Sequence, residues 1–330
     1  VRYRQLIDKV SLSAVSRRII EIGSKVSALK TDIADVRRRG YIYGAYLEDK
    51  ADVLANDLEN VQAQLNRTLE SEITELRGEL DEVEGTLQNM SRAGGDRVQL
   101  GGFVMMAETT LGALEQKVTA AEQRLSGMYG PIESEISKSE QQLQQINGYL
   151  EQKDLASFDF ADGESMYMVA EAKWKDGRDE PEGFLYLTDQ RLVFEKRQVT
   201  GKTLGLFGGK KEHEVEWEVP LNSIENVSTE EQGLFGSTDL LNLKFGAGAR
   251  FANAVVETKG GANNDEWSRQ IRRMSAGNVS DERAVPADPA LIERLRKAPT
   301  ECPVCGGVLP QISAGQNSVT CKYCGAVLRI

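Results

Sequence analysis

The chain has 330 residues, 40% of them hydrophobic and 28% charged, with 40 Lys and Arg against 51 Asp and Glu and a formal net charge of −11. That length suits two or three domains, and that balance excludes both a disordered tail and a chain immersed in lipid. No window approaches the roughly 20 uncharged apolar residues that span a bilayer, so the expected location is cytoplasmic, with peripheral attachment at the inner face of the membrane as the other expectation.

The first 155 residues repeat with helical spacing. Val15, Ile19, Ile22, Val26, Leu29, Ile33 and Val36 alternate steps of four and three, the heptad seam of a coiled coil. Arg4, Lys9, Arg17, Arg18, Lys25, Lys30 and Arg37 to Arg39 accompany that seam, and only four acids oppose them before residue 40. Such a helix lies on a membrane surface, or its charges pair with the acidic stretch 48–90. Gly40 and Gly44 interrupt it. The seam resumes from Leu47 through Leu54, Leu58, Leu65, Leu80 and Leu87 to Met90, with a stutter between Leu65 and Ile73.

A breaker run, Ser91 to Gly102, separates this arm from a second one that runs from Leu111 to Leu150, with Pro131 inside it. Two arms of similar length joined by a Gly-rich loop make an antiparallel helical hairpin. The basic helix over 1–39 either packs on it or extends its first arm. An isolated hairpin of this kind leaves apolar surface open, so a homo-oligomer is expected.

From Phe158 the spacing changes. Seven short strands are expected over Met166–Ala172, Gly183–Thr188, Arg191–Arg197, Glu214–Pro220, Ser223–Thr229, Leu240–Phe245 and Arg250–Thr258, in a closed or sandwiched antiparallel sheet. His213, the only histidine, falls where polar and apolar residues alternate and reads as an exposed strand residue. With one histidine there is no Ser/His/Asp triad or Cys/His pair beyond what that residue could supply, and no enzyme is expected. Gly-Leu-Phe-Gly occurs twice, at 205–208 and 233–236, between strands. Leu206, Phe207, Leu234 and Phe235 beside Lys202, Lys210 and Lys211 form loop tips for a membrane or partner, or fold back to cap the sheet. Gly201-Lys202-Thr203 lacks the earlier glycine of a phosphate loop and is a turn. A helix over Asn264–Met274 covers the sheet with Trp267 and Ile271, and a linker over 276–298 carries a short helix with Asp288 as N-cap and Pro289 first.

All four cysteines stand in two knuckles, Cys302-Pro-Val-Cys305 and Cys321-Lys-Tyr-Cys324, each followed by Gly. Four thiolates at this spacing suit one structural Zn²⁺, held tetrahedrally with no position open for catalysis. Disulfides are the alternative, disfavoured in a reducing compartment.

Two resemblances follow. Gly183-Phe-Leu-Tyr-Leu-Thr-Asp-Gln-Arg-Leu-Val-Phe194, then Val219 to Val227 and the helix Glu266 to Arg273, resemble a GRAM or bacterial pleckstrin-homology-like domain, and residues 299–330 resemble a zinc ribbon. The first resemblance implies a scaffold that binds lipids, peptides or proteins. The family's basic first loop is not matched, because Trp174–Glu182 mixes Lys175 and Arg178 with four acids, which points away from inositol phosphates. The expected architecture is therefore multidomain α+β: a coiled-coil hairpin or bundle over 1–155, a pleckstrin-homology/GRAM-like antiparallel barrel with its C-terminal helix over 158–275, the linker, and a zinc ribbon over 299–330. The expected role is a non-enzymatic scaffold with protein partners. The alternatives are a peripheral membrane protein and a nucleic-acid-binding ribbon aided by Arg294, Arg296, Lys297, Lys322 and Arg329.

Overall fold

In the computed structural model, the described residues are 2–92, 97–161, 163–175, 179–200, 210–232, 238–246, 249–260, 262–277, 282–285, 301–307, 309, 318–321 and 323–329. Heptad spacing builds four helices: α1 (Arg2–Val10), α2 (Ser13–Arg38), α3 (Tyr46–Arg92) and α4 (Arg97–Asp154). The single helix expected over 1–39 is broken. Ser11 donates its hydroxyl to the Asp8 carbonyl at 2.6 Å, competing with the helical ladder, and Leu12 follows at φ 47°. Gly101 and Gly102, expected in the break between the arms, lie inside α4, and that helix runs unbroken through Pro131. Two glycines cost about 1 kcal/mol each in a helix, little beside the packing of 58 residues.

By internal contacts the chain forms two units, Val1–Ala34 with Leu47–Gln142, and Asp35–Tyr46 with Leu143–Ile330. Within the first unit, ion pairs show the helix directions. Lys117 binds Glu79 and Arg124 binds Glu72, so residue numbers rise on α4 as they fall on α3, and the pair is antiparallel. Arg18 binds Glu133 and Lys25 binds Glu140, so α2 runs parallel to α4. The basic helix thus packs alongside the hairpin. Its partners differ from the expected acidic stretch 48–90: Glu115, Glu133 and Glu140 of α4 take Arg2, Arg18 and Lys25, and among the described residues of α3 it is Asp52 that takes Lys30.

The seam of α2 is buried throughout, from Val15 to Val36. On α3 the burial thins out. Leu65, Leu76 and Val83 are covered, while Leu58, Val61, Leu69, Ile73, Leu80 and Leu87 are half-buried. Near the start of α4, Met105 and Met106 are exposed.

In the second unit seven antiparallel strands form one sheet: β1 (Met166–Trp174), β2 (Glu182–Thr188), β3 (Arg191–Thr200), β4 (Lys210–Pro220), β5 (Ile224–Gln232), β6 (Thr238–Phe245) and β7 (Asn253–Thr258), in the order β4-β3-β2-β1-β7-β6-β5. A 3₁₀ turn, Leu221–Ser223, joins β4 to β5. Among the described residues no ladder joins β4 to β5, so hydrogen bonds do not close the sheet into a barrel. Instead it folds over on itself. The Trp217 ring of β4 lies 6.2 Å from Phe245 of β6, although four strands separate them in the sheet order. Phe194 and Phe251 complete the aromatic core. Helix α5 (Asn264–Ser275) starts at an Asn263 cap that accepts from the Glu266 N–H, and it buries Trp267 and Ile271.

The β2–β3 hairpin is buried on both faces. Leu185, Leu187, Leu192 and Phe194 face the folded core, and Tyr186, Val193 and Glu195 are equally inaccessible. Tyr149, Ala156, Phe158 and Phe160, from the end of α4 and the chain after it, cover that second face.

The segment 35–46 interrupts the helical seam and belongs with the sheet. Gly40 at φ 89° and Gly44 at φ 72° turn it, and Arg37 donates to the carbonyls of Tyr41, Tyr43 and Gly44 at 2.9, 2.6 and 2.9 Å. Tyr43 bridges Arg283 in β fashion, the Tyr41 hydroxyl donates to the Tyr167 carbonyl, and both tyrosines are buried.

Candidate functional site

Each cysteine knuckle is built the same way. The Gly306 N–H donates to the Cys302 carbonyl and the Cys302 N–H to the Gly307 carbonyl, each at 2.8 Å. In the second knuckle the Gly325 N–H reaches the Cys321 carbonyl and the Cys321 N–H the Ala326 carbonyl, also at 2.8 Å. Both turns need a left-handed residue after the second cysteine, and Gly306 and Gly325 supply it at φ 71° and 75°. A two-stranded sheet, β8 (Ser318–Thr320) with β9 (Val327–Arg329), holds the second knuckle.

The two turns bring all four sulfurs within 4.8 Å of one another. The Sγ atoms of Cys302 and Cys324 are 3.6 Å apart, as are those of Cys305 and Cys321. A disulfide needs about 2.05 Å, and these thiols are free. A tetrahedral ion with metal–sulfur bonds of about 2.3 Å puts its sulfurs about 3.8 Å apart, so the residues fit a metal. Cys302 and Cys321 are buried, and Cys305 and Cys324 face solvent.

The thiols share their charge unevenly. Burial alone would raise Cys321, but the N–H groups of Cys324 and Tyr323 and the neighbouring thiols outweigh it and bring it down to about 7. At Cys305 the Gly307 N–H works to lower the thiol, and its Cys324, Cys321 and Cys302 neighbours push it up to about 12. A four-thiolate state therefore needs a cation among them.

The second feature lies on the outer face of the β2–β3 hairpin. Glu195, fully buried, accepts from Arg197 Nε at 2.7 Å, from the Tyr186 hydroxyl at 3.0 Å and from the Ser157 N–H at 2.7 Å. Arg197 reaches Gln152 near the end of α4 and lies over the Phe184 ring. Every oxygen of the carboxylate is used, so this is a structural knot with no free group for chemistry. Sequence reasoning did not single out Glu195 or Arg197, and the layer over this face comes from Tyr149, Ala156, Phe158 and Phe160.

At the β1–β2 turn the described lysines are paired, and Arg178 lies outside the described residues. Lys175 pairs with Glu257 and Glu180, and Lys173 pairs with Glu180. The Glu257 and Glu180 carboxylates hold Lys175 above its usual range, and the Lys173 ammonium, hydrogen-bonded to Glu180, holds that carboxyl below its own. His213 sits on β4 with Nδ1 4.0 Å from Glu195 Oε1. Of the loop tips, Lys202, Leu206, Phe207, Leu234 and Phe235 lie outside the described residues. Lys210 and Lys211 begin β4, in register with Thr200 and Val199. The short helix at Asp288 also lies outside them. Among the described residues no helix is long and apolar enough to cross a membrane.

No family model and no curated protein matches the chain. Among solved structures it is similar to the N-terminal PH domain of Vps36, at 14% identity and a TM-score of 0.26, over 36% of this chain and 84% of that one. A DUF1696-family protein with a pleckstrin-homology domain from Shewanella loihica PV-4 is similar at 21% identity and a TM-score of 0.25, over 40% and 92%. A structure of human RhoA in complex with the DH/PH fragment of PDZRhoGEF is similar at 9% identity and a TM-score of 0.28, over 83% and 92%. At these identities and scores the likeness carries no functional argument. The seven antiparallel strands followed by one closing helix are consistent with a pleckstrin-homology-like fold on their own terms.

Proposed function

We propose that this chain is a non-enzymatic adaptor: it self-associates through its long helices as a coiled coil and recruits protein partners through the folded sheet and a zinc ribbon. The observation that carries the protein-binding reading is the pairing of the described lysines beside the β1–β2 turn, where Glu180 and Glu257 already occupy Lys173 and Lys175. An anionic headgroup would have to displace those carboxylates. Zn²⁺ would be held by Cys302, Cys305, Cys321 and Cys324, and with four thiolates its role is to order the ribbon.

Self-association is supported by the half-buried stripe from Leu58 to Leu87 on α3. Light scattering of the full chain at roughly 10–50 µM, where coiled coils of several heptads associate, is expected to give a dimer or larger. A monomer across that range removes this part of the reading. Co-sedimentation with anionic phosphatidylserine vesicles at low and moderate salt tests the rest. The adaptor stays in the supernatant, and salt-sensitive pelleting would overturn it in favour of a membrane-surface protein.

A further inference from the structure

Strand β1 is paired along its whole length by β2 on one side, but β7 pairs with it only at Ala172, Lys173 and Trp174. On the β7 side the Glu171 carbonyl accepts from the Lys259 N–H at 2.8 Å. Beyond it β7 has ended, and Gly260 at φ 69° turns the chain away. Backbone groups in an antiparallel strand face alternate neighbours with a two-residue period, so the N–H and C=O of Val169 point to the side that β7 has vacated. Further along, the Tyr167 carbonyl is taken by the Tyr41 hydroxyl at 3.3 Å. Val169 is therefore left between two residues whose carbonyls are taken, with a donor and an acceptor of its own that have no partner among the described residues, although its side chain is buried. Buried backbone groups are almost always paired, so an open pair here marks a place for something else.

A cavity of about 450 Å³ lies against this edge. Gln145 and Tyr149 of α4 form one wall, and Ala262 and Trp267, before and within α5, form the other. Its charge is simple. Lys259 is neutralised by Glu182 and Glu266 is held by Arg269, while Glu171, at the rim, is exposed and makes no ion pair among the described residues.

We infer that this groove binds an extended peptide segment of a partner protein, which adds a short strand to β1 by exchanging both backbone hydrogen bonds with Val169 and carries a basic residue toward Glu171. A residue opposite Val169 makes one hydrogen-bonded pair, and its neighbours along the peptide sit over Tyr149 and Trp267. The inference deepens the adaptor reading and rests on it.

The test is selection of a phage-displayed random heptapeptide library on the full-length protein, in parallel with Ala262→Trp and Gln145→Trp, which fill the groove from opposite walls, and Asn253→Trp on β7, outside it. Far-UV spectra and melting curves establish that each variant is folded. The expected result is enrichment of peptides with alternating apolar residues and a Lys or Arg, retained by Asn253→Trp and lost by at least one folded groove variant. N-methylation of the central amide of a selected peptide should weaken binding about tenfold or more, the effect of one lost hydrogen bond and its clash. Glu171→Lys should weaken basic peptides further. Peptides that still bind both groove variants, or that tolerate N-methylation at every position, overturn the groove while leaving the adaptor reading intact. Absence of enrichment also overturns the groove, and the adaptor reading then stands on the vesicle and light-scattering measurements alone.

Discussion

Gly183, the second residue of β2, stands at a point where no side chain can fit. A Cβ placed there would sit 1.9 Å from the Glu195 carbonyl oxygen, which belongs to backbone and cannot step aside. The β3–β4 ladder shifts register beside this contact, between Phe194 and Glu195. Gly183→Ala should therefore cost about 1–3 kcal/mol in chemical denaturation, the usual range for forced overpacking. A variant as stable as the parent would show that the bulge is not rigid.

At the thiols the chemistry sets a proton count. With Cys321 lowered to about 7 and the Cys305 and Cys324 thiols pushed up by their neighbours, loading Zn²⁺ at pH 7 should release at least about two protons. Calorimetry in buffers of different ionisation enthalpy measures that number, and a release near zero would refute thiolate ligation. The sign of the pH dependence follows. Cys321 is depressed below its ordinary value, so its contribution to the folded ribbon is present in alkaline solution and lost as pH falls through about 7. Zinc retention should weaken in the same direction. Cys305→Ser should remove one ligand, release the ion to a chromogenic chelator and leave the melting of the helices and the large sheet unchanged.

At the scale of elements, α2 is attached by two kinds of contact of unequal weight. Lys25 and Glu140 are each more than a third exposed, so their pair is screened and worth at most about 1 kcal/mol. Ile22, on the same helix, is completely buried. Ile22→Ala should cost about 2–5 kcal/mol, and Lys25→Ala a small fraction of that, in parallel urea titrations. Equal costs would mean that charge and not apolar packing docks the helix. This difference also explains what the amino-acid sequence made legible. The seam from Val15 to Val36 could be read because each of its residues recurs on one helical face, and the strands from Met166 to Thr258 because alternation and turns recur every few residues. The ion-pair partners of the basic helix could not be read, since net acidity favours the stretch 48–90 while geometry selects Glu133 and Glu140. Glu195 was hidden for a related reason: period-two alternation marks a second face but cannot tell solvent from a covering layer. The four cysteines were legible because their whole site is specified by two local turns.

For the whole molecule, the segment 35–46 has an effect on the order in which the chain can finish folding. During synthesis Tyr41 leaves the ribosome well before Tyr167, which stands 126 residues later in the chain. Tyr43 waits about 240 residues for Arg283, on the order of ten seconds or more at ordinary elongation rates. Through that interval the helices on either side can form, because their contacts are nearer in sequence, while two tyrosines destined for burial remain without their sheet. The nascent chain therefore carries a temporary sticky site that only late synthesis can extinguish, the situation in which chaperones hold a growing polypeptide. Ribosome-stalled chains ending near residue 160 should be cut by chymotrypsin at Tyr41 and Tyr43, and chains extending beyond residue 300 should resist. Equal resistance at both lengths would mean that the helices alone bury the loop.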